Sequence, residues 1–297
     1  MSLQANRTVS YEKYHGTSND FIIIDAADFI PNRYSFATAY CDRETGVGVD
    51  LDVGDEGHVG ADGVLFLALE EKYSPPRVIM TLVQPDGSTA PMCGNGARCA
   101  AAWAAERTGS DEVMVDTQAG TRHATVHDDG SVTIEMGVPA FDPRDVPLAR
   151  DDPLVEEELE GLLVTAVNTG VPHVVVFVDD LDAVDLESVG PTLRYADVFP
   201  EGANVTFASE KEDGDGFDQR TYERGIEGET QSCGTGAVAV VAAAKRLGLV
   251  DESEGVTVSP PGGDLEISVP DDAPATLRGG VAHEYAGELA REPPAQL

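Results

Sequence analysis

The chain has 297 residues, 41% of them hydrophobic, and its 54 acidic residues against 19 lysines and arginines give a net charge of −35. Such a surface repels nucleic acid and anionic membranes, so we exclude both as partners. No apolar run is long enough to span a membrane and the N-terminus lacks the apolar segment of a secretion signal, so we expect a cytoplasmic protein.

This composition is typical either of acidic disorder or of a folded protein adapted to concentrated salt. Strand-like apolar runs such as Phe21–Asp25 and Val174–Val178 argue against disorder. At about 1 M salt the Debye length is roughly 3 Å, so surface carboxylates scarcely repel one another. We therefore expect a folded protein adapted to high salt, with a length that suits two domains.

The first half contains apolar strands, a turn and one alanine-rich helix that ends at a glycine. In chain order these are strands at Phe21–Asp25, Val64–Leu69 and Val78–Val83, a turn at Pro85–Ser88, a helix from Cys93 to Gly109, and strands near 112–117, 121–127 and 131–136. The sequence Asp128-Asp129-Gly130 predicts a hairpin turn between the last two strands.

The second half repeats this plan, which indicates an internal duplication. Its elements are strands at Val174–Val178 and Phe217–Glu223, a helix from Cys233 to Gly248, and strands near 256–259 and 264–269. The first half is longer because of an acidic, glycine-rich insertion at Val49–Gly60, which predicts an exposed, mobile loop with His58 as a surface residue.

The four cysteines are Cys41, Cys93, Cys99 and Cys233. Their spacing does not match a zinc-binding or redox C-x-x-C motif, so we expect no metal site. Cys93 and Cys233 instead each precede a predicted helix in a Cys-Gly-x-Gly-Ala motif. The free N–H groups and the dipole at a helix start favour a thiolate, although an effect of about 1 kcal/mol needs further help at neutral pH.

This pair of motifs suits proton transfer at an α-carbon. The glycines Gly94, Gly96, Gly234 and Gly236 allow close backbone approach, and N–H groups at a helix start bind an anion such as a carboxylate. One thiolate then removes the α-proton and the opposite thiol returns a proton to the other face, which inverts the centre. The chemistry requires no pyridoxal phosphate or other cofactor. The alternative interpretation is two buried structural cysteines at glycine-rich helix starts.

Seven segments together resemble the diaminopimelate epimerase family. They are HGTSNDFIIID (15–25), GADG (60–63), QPDGSTAPMCGNGARC (84–99), GVPH (170–173), EGANV (201–205), YERGIEGET (222–230) and SCGTGA (232–237). The resemblance implies an α+β fold of two similar domains from an internal duplication, each a β-barrel-like sheet around a central helix, with the active site in the interdomain cleft. It implies domains at 1–137 plus 277–297 and at 138–276, with the last strand near 276–289.

The resemblance also implies the activity and the site residues. The expected reaction is epimerisation of LL-diaminopimelate to meso-diaminopimelate in lysine biosynthesis, by an enzyme that is often a homodimer. Cys93 and Cys233 would be the acid–base pair, with His173 supporting Cys93 and Glu223 supporting Cys233. The residues expected to bind substrate are Asn19, Gln84, Gly94, Asn95, Asn204, Glu223, Arg224, Gly234 and Thr235.

Three positions depart from the family pattern. Gln84 and Val171 stand where asparagine is usual, and Gly63 replaces a glutamine found in some members. The first two positions normally touch the distal amino-acid centre, and Val171 cannot hydrogen-bond through its side chain. The alternatives are therefore an epimerase or racemase of another amino or imino acid, an inactive small-molecule-binding homologue, or a redox role for the cysteines.

The charge of the chain predicts that its stability depends on salt. We expect the midpoint of thermal unfolding to rise as KCl increases from about 0.1 M to about 2 M, because salt screens repulsion between surface carboxylates. Calorimetry at each concentration measures this, with sorbitol at matched osmolality as the uncharged control. Equal stability and activity at both salt concentrations would contradict salt adaptation.

Overall fold

The computed structural model describes residues 7–48, 59–212, 214–250 and 255–293. Most of the insertion predicted at 49–60, including His58, lies outside the described residues. The chain forms two compact units. The first comprises Met1–Ile134 with Gly280–Leu297, and the second comprises Glu135–Gly279.

Within the described residues, the first unit contains two helices and a set of mostly antiparallel strands. Its elements begin with β1 Thr8–Gly16, β2 Asn19–Asp25, α1 Arg33–Tyr40, β3 Gly63–Glu70, β4 Arg77–Val83, β5 Thr89–Ala90, α2 Gly94–Thr108, β6 Glu112–Thr117, β7 Gly120–Val126 and β8 Ser131–Gly137. The C-terminal strand β18, Ala282–Ala290, pairs antiparallel with β1 and so belongs to this unit.

The second unit has the corresponding elements. They are β9 Glu157–Leu159, β10 Leu162–Asn168, β11 Pro172–Phe177, α3 Leu186–Arg194, β12 Asn204–Glu210, β13 Phe217–Glu223, β14 Gly228–Thr230, α4 Gly234–Leu247, β15 Val256–Ser259, β16 Leu265–Ser268 and β17 Ala275–Gly280. The single strand predicted near 276–289 is thus two strands. The first, β17, pairs with β16, and the second, β18, pairs with β1.

The strand pairing of the first unit recurs step by step in the second. β1–β2 and β10–β11 are antiparallel hairpins, and β2–β3 and β11–β12 are parallel pairs with α1 and α3 in their crossovers. β3–β4 and β12–β13 are antiparallel, and β4–β6 and β13–β15 are parallel with α2 and α4 in their crossovers. The predicted α+β duplication is therefore confirmed.

Helices α2 and α4 lie at the centre of their units because their side chains are small. α2 contacts β1, β2, β3, β4, β6 and β7, and α4 contacts β10, β11, β12, β13, β15 and β16. Ala97, Ala100, Ala101 and Ala104 of α2 are buried, as is the whole run from Gly236 to Ala244 in α4. A helix that is apolar on most sides is stable only when it is enclosed, as these are.

Both central helices end as the sequence predicts. Gly109 and Gly248 cap them with φ of 68° and 73°, in the left-handed region that glycine adopts without strain. The strands supply the rest of each core, with residues such as Ile24 and Phe66 in the first unit and Val205 and Phe207 in the second. No helix within the described ranges is long and apolar enough to cross a membrane.

Candidate active site

Cys93 occupies the N-cap position of α2. Its backbone is extended, with φ of −145° and ψ of 117°, and its carbonyl accepts the first helical hydrogen bond from Ala97 N at 2.8 Å. Its Sγ accepts a hydrogen bond from Gly96 N at 3.5 Å. The thiol, which is only partly buried, therefore already interacts with one of the N–H groups that a helix start leaves without a helical acceptor.

Cys233 has the same position at the start of α4. Its φ of −121° and ψ of 98° are extended, and Ala237 N donates to its carbonyl at 3.0 Å. The side chain is more enclosed than that of Cys93, and Sγ lies 3.5 Å from Thr235 Oγ1. The two motifs therefore have the same backbone geometry but different sulfur surroundings.

The second glycine of each motif has a packing requirement as well as the proposed role in ligand approach. A Cβ on Gly96 would lie 3.3 Å from Leu65 Cδ2. A Cβ on Gly236 would lie 2.7 Å from the side chain of the buried Gln219. Each helix start thus lies directly against strand side chains behind it, so a larger residue at either position would displace its neighbour.

A directed chain of side chains lies beside Cys93. Arg98 Nη1 donates to Asn95 Oδ1 at 2.9 Å, Asn95 Nδ2 donates to Asn19 Oδ1, and Asn19 Nδ2 donates to Asp62 Oδ2 at 3.0 Å. A guanidinium can only donate and an ionised carboxylate can only accept, so the two ends fix the orientation of both amides. The substrate-binding candidates Asn19 and Asn95 are in this way held in defined rotamers.

The carboxylate end of this chain is part of an ion-pair cluster in which Lys13 and Asp20 are buried, Arg43 is exposed and Asp62 is partly exposed. Asp20 is bonded to Lys13 at 2.6 Å and to Arg43 at 2.7 Å, and Arg43 also contacts Asp62 at 2.6 Å. Burial opposes ionisation of Asp20, but the hydrogen bonds from Arg43 and the charge of Lys13 hold its pKa below the ordinary value. Burial and the neighbouring Asp20 raise the pKa of Asp62. Through Asp62, this cluster holds the side chain of Asn19 in position.

His173 lies in a hydrogen-bonded network beside Cys233. Its Nδ1 is 3.1 Å from Thr206 Oγ1, and its Nε2 is 2.9 Å from Thr235 Oγ1 and 3.3 Å from Asn204 Nδ2. Asn204 Oδ1 accepts a hydrogen bond from Arg224 N at 2.7 Å, so its amide N–H groups face His173. Nε2 is therefore an acceptor, and Nδ1 carries the proton and donates to Thr206.

The imidazole of His173 is neutral at physiological pH. The side chain is fully buried, and burial, helped by the charge of Arg224, lowers its pKa to about 3. Because Nε2 accepts, the hydroxyl of Thr235 donates to it, and Thr235 Oγ1 then has acceptor capacity toward Cys233 Sγ. Cys233, Thr235 and His173 thus form a continuous hydrogen-bonded series.

The remaining predicted residues lie at strand and turn ends. Glu223 is the last residue of β13 and is half-buried, and Arg224 follows it. The Nη1 atom of Arg224 donates to the carbonyls of Glu201 at 3.2 Å and Gly202 at 3.3 Å. In the first unit Gln84 Oε1 accepts from Ser88 Oγ at 2.9 Å across the predicted turn.

The structure brings the predicted residues together in two groups. Asn19, Gly94 and Asn95 lie with Cys93, whereas His173, Asn204, Arg224, Gly234 and Thr235 lie with Cys233. Sequence analysis did not single out Arg98 or Asp62. The sequence did contain a signal for Arg98. An arginine in an alanine-rich helix that is predicted to be enclosed needs polar partners in the interior. Across the described ranges no cluster of His, Cys, Asp and Glu is arranged to hold a metal ion.

Comparison with known sequences gives a consistent result. The family model described as diaminopimelate epimerase matches residues 53–141 and 165–283. The diaminopimelate epimerase of Methanocella arvoryzae is 41% identical over 292 residues, covering 95% of this chain and 96% of that protein. Those of Archaeoglobus fulgidus and Neisseria meningitidis are 40% and 37% identical, each covering 95% of this chain and 96% and 99% of their own.

Solved structures share the fold at much lower identity. A hydroxyproline epimerase from Agrobacterium vitis has a TM-score of 0.62 at 20% identity, covering 98% of this chain and 95% of its own. A PhzF-family phenazine biosynthesis protein from Bacillus anthracis has a TM-score of 0.63 at 15% identity, covering 95% of this chain and 99% of its own. At these identities the likeness concerns the fold alone.

The buried imidazole predicts a loss of stability in acid. The folded pKa of about 3 lies below the ordinary 6.5, so between these values the unfolded chain binds a proton that the folded chain does not. The free energy of unfolding should therefore fall with pH below about 6.5, by up to about 1.4 kcal/mol per pH unit from this group.

Urea unfolding at high salt, with His173→Asn beside the wild type, isolates the effect of this residue. The difference in free energy of unfolding between the two proteins should shrink as the pH falls from about 6.5 to about 4. The exposed His283 provides the matched control, His283→Asn. A wild-type advantage over His173→Asn that stays constant across this range would contradict a neutral, buried His173.

Proposed function

The chain belongs to the diaminopimelate epimerase family, and we propose that it inverts one α-carbon of diaminopimelate by acid–base catalysis at Cys93 and Cys233. It is an isomerase that converts LL-diaminopimelate to meso-diaminopimelate, a step of lysine biosynthesis. The observation that carries the mechanism is the recurrence, in both duplicated units, of a cysteine N-cap in extended conformation followed by Gly-x-Gly.

The proposed reaction transfers one proton at each cysteine. A thiolate removes the α-proton from one face and becomes a thiol, and the electron pair remains on the α-carbon. The second thiol then gives its proton to the opposite face and becomes a thiolate. No net proton is gained or lost, and the enzyme returns to its first state after the reverse reaction or after proton exchange with solvent.

The helix starts supply electrostatic stabilisation for the intermediate. The N–H groups of Gly94 and Asn95 in α2, and of Gly234 and Thr235 in α4, have no acceptor within their own helices. We assign them to the carboxylate of the reacting centre, because a helix N-terminus binds anions. As the α-proton leaves, negative charge spreads into this carboxylate and the same groups bind it more tightly.

Two further residues are proposed to help each thiol lose its proton. The family resemblance assigns His173 to Cys93 and Glu223 to Cys233. For His173 the support is this assignment together with its buried position in a polar network with Thr235 and Asn204. A half-buried carboxylate at the end of β13 supports the role of Glu223.

The distal end of the substrate carries an ammonium and a carboxylate, and we assign its recognition to polar residues of both units. Glu223 and Arg224 would bind these charges, with Asn19, Gln84 and Asn204 completing the polar lining. The backbone contacts of Arg224 with Glu201 and Gly202 support a fixed guanidinium with further N–H groups for a carboxylate. Val171 offers no such group.

We also infer the setting in which the enzyme acts. Its substrate is a small molecule, it requires no cofactor, and the acidic surface supports a protein that avoids nucleic acid and membranes. A cytoplasmic location fits the use of two free cysteines in catalysis, because that compartment keeps thiols reduced. The family resemblance implies a homodimer, for which sedimentation at high salt is the direct measurement.

Deuterium exchange tests the function and the mechanism together. In D₂O at high salt, under reductant, we expect NMR to show deuterium at one α-carbon of LL-diaminopimelate together with formation of the meso isomer. Cys93→Ser and Cys233→Ser should each lower turnover by about 10²-fold or more, because each removes a general acid or base. Cys41→Ala, at a buried cysteine outside both cysteine motifs, is the control.

Each other outcome identifies what is wrong. Exchange into another amino or imino acid, but not into diaminopimelate, would retain the two-thiol mechanism but show that the substrate is a different one. Gln84 and Val171 would then be the positions that explain the altered recognition. Absence of exchange with every candidate would exclude catalysis and leave a small-molecule-binding protein. Full activity in either serine variant would reject the two-thiol mechanism.

The distal assignment predicts a binding defect in Arg224→Lys. The lysine retains the charge but loses the forked geometry, so we expect KM for diaminopimelate to rise by about tenfold or more with a smaller change in kcat. Arg122→Lys is the matched control, because Arg122 also donates to two backbone carbonyls but lies on β7 in the first unit. An unchanged KM in Arg224→Lys would contradict the assignment.

A further inference from the structure

The C-terminal end of α3 carries a nearly buried cation. Arg194, the last residue of this helix, has a side chain that is only 11% exposed. Its Nη2 donates to Glu227 Oε1 at 3.0 Å, and its Cζ lies 4.6 Å from the ring centre of Tyr195. A charge removed from water needs an opposite charge beside it, and Glu227 provides that charge. This ion pair therefore joins α3 to the turn that follows β13.

The carboxylate of Glu227 accepts hydrogen bonds from two segments of the chain. From the end of α3, Arg194 donates to Oε1, and the hydroxyl of the C-cap residue Tyr195 donates to Oε2 at 2.8 Å. From its own turn, Gly225 N donates to Oε1 at 3.0 Å. Burial opposes ionisation of Glu227, but these hydrogen bonds hold its pKa below the ordinary value. Glu227 is therefore charged at neutral pH and bound to both segments.

The turn from Glu223 to Glu227 has a backbone that needs this support. Glu227 N donates to Glu223 O at 2.8 Å, which closes the turn, and φ is 97° at Gly225 and 56° at Glu227. A residue other than glycine rarely adopts the left-handed conformation of Glu227, and does so where its surroundings hold it there. The hydrogen bonds to the Glu227 carboxylate provide this hold. Arg224 lies inside the turn, directly before Gly225.

Arg194 also contacts the segment that binds the side chain of Arg224. Arg224 Nη1 donates to the carbonyl oxygens of Glu201 at 3.2 Å and Gly202 at 3.3 Å. A Cβ on Gly202 would lie 1.4 Å from Arg194 Nη1, so the Arg194 guanidinium occupies the space that any side chain at this position would need. One of the two carbonyls that hold Arg224 therefore belongs to a residue in direct contact with Arg194.

One guanidinium, that of Arg194, thus reaches both segments that hold Arg224. The backbone of Arg224 lies in the turn that Glu227 supports, and its N–H donates to Asn204 Oδ1 at 2.7 Å. Its side chain is bound by the segment against which Arg194 packs. A binding group that is held in this way loses less conformational freedom when a ligand arrives. The arrangement suits a guanidinium that binds a carboxylate through two parallel hydrogen bonds.

We propose that Arg194 and Glu227 are positioning residues that fix Arg224 for the distal carboxylate of the substrate. They act through Arg224 rather than through contact with the substrate. The inference deepens the proposed function and rests on it, because the role of Arg224 comes from there. Weakening the Arg194–Glu227 pair lets the Arg224 guanidinium take up more orientations, so distal recognition suffers while proton transfer at the α-carbon does not.

Hydrogen exchange in the full-length protein without substrate tests the support of the turn. Glu227→Gln removes the charge and keeps the shape, and Tyr195→Phe removes one hydroxyl from a mostly exposed side chain. At high salt both variants should speed amide exchange of Gly225 and Glu227 by about threefold or more, as measured by fragment-ion mass spectrometry. Glu229→Gln, in the Arg220–Glu229 ion pair of β13 and β14, is the matched control and should leave these amides unchanged.

Steady-state kinetics then tests the link to Arg224. Glu227→Gln should raise KM for diaminopimelate by about threefold to tenfold, the effect of one weakened hydrogen bond, and should change kcat by less than about twofold. Arg194→Met should raise KM at least as much, and Arg194→Lys, which retains the charge, should recover part of the loss. In a double-mutant cycle, Glu227→Gln should add little to the KM of Arg224→Lys, because both changes act on the same contact. Glu229→Gln should leave KM unchanged.

The proposal is overturned if the turn amides of Glu227→Gln exchange at the wild-type rate, or if Glu227→Gln and Glu229→Gln both leave KM unchanged. It is also overturned if the KM effects of Glu227→Gln and Arg224→Lys simply multiply, since independent sites are additive in free energy. Failure of the proposed function gives a different result, because the wild type then shows no α-proton exchange with diaminopimelate. In that case amide exchange alone decides whether Arg194 and Glu227 hold the turn of Arg224.

Discussion

The whole arrangement depends on how an enclosed, small-residue helix begins. At Cys93 and at Cys233 the extended backbone turns into a helix whose third residue, Gly96 or Gly236, lies directly against strand side chains. This close contact puts the helix N-terminus, with its positive dipole end and the N–H groups that have no acceptor within the helix, inside the unit rather than at its surface. In a low-dielectric interior those groups act on a sulfur or a carboxylate more strongly than they would in water.

Much of the fold followed from local sequence signals. The central helices end at Gly109 and Gly248 as expected, and β13 and β15 have the predicted bounds, because glycine caps and apolar runs act locally. Helix α3 was not predicted, since Gly190 and Pro191 lie inside it and both disfavour a helix. Its formation depends on tertiary contact: a Cβ on Gly190 would lie 2.6 Å from the ring of Tyr222, so only glycine lets α3 approach β13.

Some residues of the candidate site could be predicted from the sequence in more detail than others. The two cysteines were identified from their motifs, because the chemistry and the helix start lie in the same five residues. The orientation of the Asn19 and Asn95 side chains could not be predicted from the sequence. It depends on hydrogen bonds from Arg98 to Asn95, from Asn95 to Asn19 and from Asn19 to Asp62, and the last two join residues far apart in sequence. Likewise the tautomer of His173 depends on Asn204, whose own orientation is fixed by a backbone N–H at Arg224.

The charge of the surface and the charge of the interior have opposite signs and obey different rules. The net charge of −35 belongs mostly to side chains in water, where salt screens it. The fully buried charges include two cations, Lys13 and Arg98, of which Lys13 is paired with Asp20 and Arg98 has neutral hydrogen-bond partners. Salt screens these buried charges weakly, so the surface can respond to ionic strength while the interactions of the two buried cations stay nearly constant. The surface charge, which salt screens, is therefore separate from the charge of the buried cations, on which salt acts weakly.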